Sequence, residues 1–242
     1  MAAISRASRR SSPPSVTRRE EAAIIIAVTI ESTSKRAFAR ALDWPGWSRS
    51  GKTEGLALAV LTSAAPRYAP VAELAGEPFA PDSYDVVDRV PGSAGTDFGV
   101  PSVITDAERR PVSAGDADRL ARLVVAAWTT LDRVARAAPA ELRKGPRGGG
   151  RDRDKMLAHV IEAEWAYARE LGIKGQHPDP MDRAAVDALR DAMLEVVRQP
   201  SDGSPLAGRR WTTRYAAGRI AWHVLDHAWE MEVRSDPTNA SA

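Results

Sequence analysis

A chain of 242 residues is long enough for one large domain or two small ones, and 43% hydrophobic with 27% charged residues excludes both pervasive disorder and residence in a membrane. Lys and Arg number 34 against 32 Asp and Glu, a net charge of +2, so charge gives no reason to expect nucleic acid. Cysteine is absent, which rules out disulfides, thiolate metal sites and a cysteine nucleophile; a metal would have to be held by carboxylates and the four histidines.

Residues 1–19, with SRASRRSSPPSVTRR at their centre, have no apolar period and read as a disordered basic tail. Glu20 and Glu21 separate this run from the short apolar stretch Ala22 to Ile30, so it does not read as a signal peptide. With no span for a bilayer, a cytoplasmic protein is expected. Residues 20–110 read as a small α/β region. Ala22 to Glu31 and Arg36 to Trp44 predict a strand pair with one half-exposed face. After turns at Pro45-Gly46 and Ser50-Gly51, Thr53 caps a helix reaching about Ala65, which Pro66 and Pro70 end. Apolar pieces at Tyr84 to Val90 and Phe98 to Ile104 predict further strands.

From Asp116 onward the period becomes helical. A first helix, with Asp116 as cap, runs to Ala138; a second runs from Asp152 to Leu171 after the Gly-rich linker KGPRGGGR; a third spans Met181 to Arg198; a fourth runs from Thr212 to Arg234 and stops at Asp236-Pro237. The chain is thus expected to be α+β: a small mixed sheet with one helix, then a four-helix bundle over residues 111–236 and a tail at 237–242.

Within that bundle His223 and His227 are four residues apart, about 40° around the helix and one turn along it, on the stripe that carries Ala216 and Ile220. Such a pair alone is more often two core residues satisfied by hydrogen bonds than a metal site. His159 on the second helix supplies a third imidazole in a chain with only four, which turns the reading toward one divalent metal with an open coordination position. His177, beside Pro178, belongs to a loop. Asp226 and Glu230 each follow a histidine by three residues and can accept an imidazole N–H, or simply pair with Arg219 or Arg234; Glu162 and Glu164 carry the same ambiguity.

One histidine in the second helix, followed by WTTRYAAGRIAWHVLDHAWEMEVR with its H-x-x-x-H in the fourth, resembles the DinB-like superfamily of metal-binding bundles over roughly residues 115–235. The Trp211-Thr212-Thr213-Arg214 run and Glu230 also look like that family. The resemblance implies zinc or nickel on His159, His223 and His227, and, from some branches, a thiol-dependent S-transferase or isomerase using a low-molecular-weight thiol on a small-molecule substrate. The Gly-rich linker and the fused N-terminal region depart from the family pattern. Bundles of this kind often pair, which leaves a homodimer open. A non-catalytic bundle fixed by its metal, with an N-terminal interaction module, is the alternative.

Residues 46–53, GWSRSGKT, match the phosphate-loop pattern in letters only, because a working loop follows a buried parallel strand and the preceding AFARALDW alternates. ALDWPGWSRSGKTEGLALAVL instead looks like the strand, turn and helix start of HicB-type domains, through Asp43, Pro45, Gly46, Gly51, Thr53 and Glu54. Trp44 and Trp47 beside that turn read as packing residues.

Overall fold

The computed structural model describes residues 24–145 and 149–235, and the readings for both tails and the Asp236-Pro237 stop fall outside them. Four strands form one mixed sheet in the order β3-β2-β1-β4: β1 (Ile24–Ser32), β2 (Ala37–Ala41), β3 (Ser48–Gly51) and β4 (Pro81–Pro91). β1 and β2 pair antiparallel, as do β2 and β3, whereas β4 lies parallel to β1 with a register shift between Val28 and Thr29. That parallel pairing requires a crossover, supplied by α1 (Glu54–Ser63) and α2 (Ala65–Leu74).

Several local expectations are corrected here. Ser50-Gly51, read as a turn, is the end of the strand Ser48–Gly51 hydrogen-bonded to β2, and Thr53 does cap α1 by accepting from the N–H of Leu56. α1 ends at Ser63, near the expected Ala65, but a second helix follows at once and carries both Pro66 and Pro70. Pro66 sits in the first turn of α2, where no N–H is needed, and Pro70 removes a bond on an exposed face that water can satisfy. Residues 98–104 are not a strand: after the short α3 (Ala94–Phe98), the N–H groups of Ser102 and Val103 donate to the Glu31 carboxylate at 3.0 Å instead of to a neighbouring strand.

β2 lacks the expected half-exposed face, since all five of its residues are buried, whereas β1 keeps Ile25 exposed and Ile24 and Ala27 partly so. Phe38 meets Trp222 edge-on at 6.2 Å, and Ala37, Ala39 and Ala41 alternate onto the other side, where α1 packs. Arg40 is tolerated inside because Glu31 and Glu108 both pair with it, at 3.5 and 3.2 Å. The case against a phosphate loop therefore rests on different ground: residues 48–51 are an antiparallel strand, and their backbone N–H groups cannot form an anion cradle.

Four helices follow: α4 (Ala114–Ala137), α5 (Arg153–Glu170), α6 (Arg183–Val197) and α7 (Thr213–Ser235). All eight predicted ends of these helices fall within two residues of these bounds. The cap of α4 is Ser113 rather than Asp116, which instead reaches back to the Ser113 N–H and closes a capping box. α7 is the central helix, buried along Ala216, Ala217, Ile220, Ala221, Val224, Leu225 and Ala228. Its alanines let α4 approach on one side and the β2–β3 turn on the other. In that turn Gly46 has φ +90°, and a Cβ there would lie 2.5 Å from Leu225 Cδ1. Trp44 and Trp47 are packing residues: Trp47 stacks on Tyr68 and its indole N–H donates to the carbonyl of Leu61 at 3.0 Å. One hydrophobic core runs without a break from β1 to α7, so the sheet and the bundle share it. Among the described residues no helix is long and apolar enough to cross a membrane.

Candidate metal centre

α5 and α7 are neighbours in the bundle, and each presents histidine toward the other. His159 lies in the first half of α5; His223 and His227 occupy successive turns of α7. Ring centroids are separated by 5.2 Å for His159 and His223, 5.0 Å for His159 and His227, and 4.6 Å for His223 and His227. One ligand-type nitrogen from each of the three lies within 4.8 Å of the others. Two nitrogens on one tetrahedral zinc stand about 3.4 Å apart, given bonds of about 2.0–2.1 Å, so small side-chain rotations complete the set.

The chemistry of these donors suits a cation. Burial pushes the pKa of His223 down to about 2, with the charges of His227 and Arg219 acting in the same direction, so its imidazole is neutral and its lone pair free. His159 is lowered as well, by burial first and then by Arg151 and His227. Nδ1 of His223 is buried without a hydrogen-bond partner, a costly state that a ligand relieves. Tyr167 covers His223 at 5.8 Å, while His159 is half-buried.

The structure separates the two carboxylates named beside the histidines. Glu230 Oε2 lies 3.2 Å from His227 Nδ1, and its Oε1 accepts from Arg234 at 2.8 Å, so the two alternatives read from sequence occur together. The hydrogen bond from His227 holds the Glu230 carboxyl below its ordinary pKa against the opposing effect of burial. Asp226 is exposed to solvent and makes no hydrogen bond to an imidazole. Glu164 belongs elsewhere, fully buried between Trp128 Nε1 at 2.6 Å and Arg190 at 3.0 Å, and Glu162 is exposed. His177 is exposed on its loop, against Trp165.

Sequence reasoning missed the aromatic layer behind His223. Trp211 packs on Tyr167 at 5.1 Å, and the Arg219 guanidinium lies between the rings of Tyr167 and Trp222, at 5.1 and 4.7 Å. The signal available was the position of Arg219, four residues before His223 and so one turn along the same face. A separate cavity of about 500 Å³ opens between α4, α5 and α6, lined on α5 by Asp154, Leu157, Ala158 and Ile161. Those positions lie roughly 100° or more around α5 from His159, so this cavity faces away from the histidines.

No protein-family model, curated protein or solved structure matches the chain.

Proposed function

We propose that the protein is a cytoplasmic metal-dependent enzyme acting on a small electrophile, in the manner of the thiol-dependent S-transferases and isomerases of the DinB-like superfamily. The convergence of three imidazoles from two helices carries the reading. Zinc or nickel held by His159, His223 and His227 would supply a Lewis acid that lowers the pKa of a small thiol or of water, making a nucleophile available at neutral pH. His223, kept neutral by its burial, needs no proton removed before it donates. Glu230 accepts the Nδ1 proton of His227, which fixes the ring and directs its other nitrogen away from the carboxylate. Half-buried His159 borders the side from which a co-substrate approaches, and Tyr167 restricts water behind His223.

Elemental analysis of protein purified without a polyhistidine tag tests the reading directly. One zinc or nickel per chain is expected, lost in His159→Ala. Wild type with glutathione should conjugate monochlorobimane faster than the uncatalysed reaction, and His223→Ala should abolish the excess. A stoichiometric metal with no thiol-dependent turnover would favour the alternative in which the cation only fixes the bundle.

A further inference from the structure

Four arginines from three separate segments face one groove of about 660 Å³ beside this centre. Arg109 precedes α4, Arg209 and Arg210 precede α7, and Arg219 lies on α7; Trp211 and Tyr215 complete its aromatic wall. No Asp or Glu lines the groove. Arg210 has a distant partner in Glu170 at 3.3 Å, through a side chain 80% exposed. The guanidinium groups of Arg109 and Arg209 have no hydrogen bond or ion pair among the described residues, and Nη1 of Arg219 is buried without a hydrogen-bond partner. Like charges repel and a buried N–H left unpaired is costly, so a concave surface built this way favours an anion.

The groove is also fixed in shape. The Thr212 hydroxyl donates to the carbonyl of Glu108 at 2.9 Å, and the Tyr215 hydroxyl to that of Pro101 at 3.3 Å. Gly203, with φ +92°, lies against the Arg109 backbone so closely that a Cβ would fall 1.8 Å from the carbonyl oxygen, and this contact brings the loops of Arg109 and Arg209 together. Val112 and Ser201 form a bridge that ties the same two loops. Arg219 is held between two rings, so its planar fork is oriented before a ligand arrives. The volume falls within the range of about 300–1,000 Å³ typical of small-molecule sites.

We propose that this groove binds a small organic anion, a carboxylate or phosphate monoester on an aromatic or apolar body, with the arginines on the oxyanion and the body along Trp211 and Tyr215. Tyr167 packs between Trp211 and His223, so the groove lies behind the histidine centre and not on the His159 side. The binding of the anion does not depend on the proposed function.

Isothermal titration calorimetry with phenyl phosphate, benzoate and neutral benzamide tests the site, alongside a separate metal assay of each sample. Phenyl phosphate, benzoate or both should bind saturably, more weakly at high salt, and at least about tenfold more tightly than benzamide. The tighter of the two anions identifies the headgroup. The exposed double variant Arg109→Gln/Arg209→Gln should lose about tenfold or more with an unchanged circular dichroism spectrum, and Arg219→Lys should lose affinity although its charge is kept. Chelator-treated protein should bind as well as untreated protein. Benzamide binding equally well, no saturable anion binding, affinities indifferent to these variants, or binding abolished by chelation would each overturn the proposal, the last because the anion would then sit on the metal.

Discussion

Nδ1 of His227 and Oε2 of Glu230 stand 3.2 Å apart across one turn of α7, so the ring nitrogen facing His159 and His223 is set by a carboxylate that does not join them. Replacing Glu230 with Ala should therefore loosen the imidazole without removing it. Metal affinity, measured by competition with a chromogenic chelator, is expected to fall about 10–100-fold. Arg234→Gln, which removes the outer partner of Glu230 and a hydrogen bond to the Arg143 carbonyl but leaves Glu230 itself, should change it far less. Equal losses in the two variants would mean that Glu230 acts through the helix surface.

The buried pair Glu164 and Arg190 predicts a stability effect distant from chemistry. Arg190 is 6% exposed and Glu164 0%, with Trp128 Nε1 as the third partner. Arg190→Met leaves an uncompensated carboxylate inside the bundle and should cost about 3–5 kcal/mol in urea unfolding. The double variant Glu164→Leu/Arg190→Met should recover much of that loss, because neither charge then remains to be desolvated.

Stability against acid should depend in part on Glu77. Burial pushes its carboxyl pKa upward, but hydrogen bonds from Arg122 and Arg119 outweigh this and hold it below the ordinary value. A depressed folded-state pKa means that the contribution is present above the unfolded pKa of about 4.3 and is lost as pH falls through the lower folded value. Thermal melts of Glu77→Gln should therefore lie below wild type at pH 6 and converge with it as the pH drops below about 4. A gap that persists at low pH would assign the difference to packing.

Gly46→Ala is expected to destabilise by about 2–4 kcal/mol, combining a left-handed backbone with overpacking against Leu225. Because the turn rests on Ala221 and Leu225 of α7, two residues before His223 and His227 respectively, the variant also tests whether the sheet holds that helix in place. Reduced metal retention accompanying the lower melting temperature is the expected result.

The chain by itself determined the four long helices, their ends and the residues nominated for a metal. These follow from apolar spacing, capping groups, prolines and glycines acting within a few positions of one another, as with Ser113 and Asp116 or His223 and His227. Tertiary structure decided what lies between distant segments. Arg40 made β2 look half-exposed, yet Glu108, 68 residues away, pairs with it inside the core. Glu31 claims the N–H groups of Ser102 and Val103 that a strand would have used. Whether His159 reaches His223, which carboxylate meets His227, and how Arg109, Arg209 and Arg219 come to share a groove depend on helix rotation and loop contacts. No local pattern encodes these, because burial and charge pairing are energies of the whole packed chain.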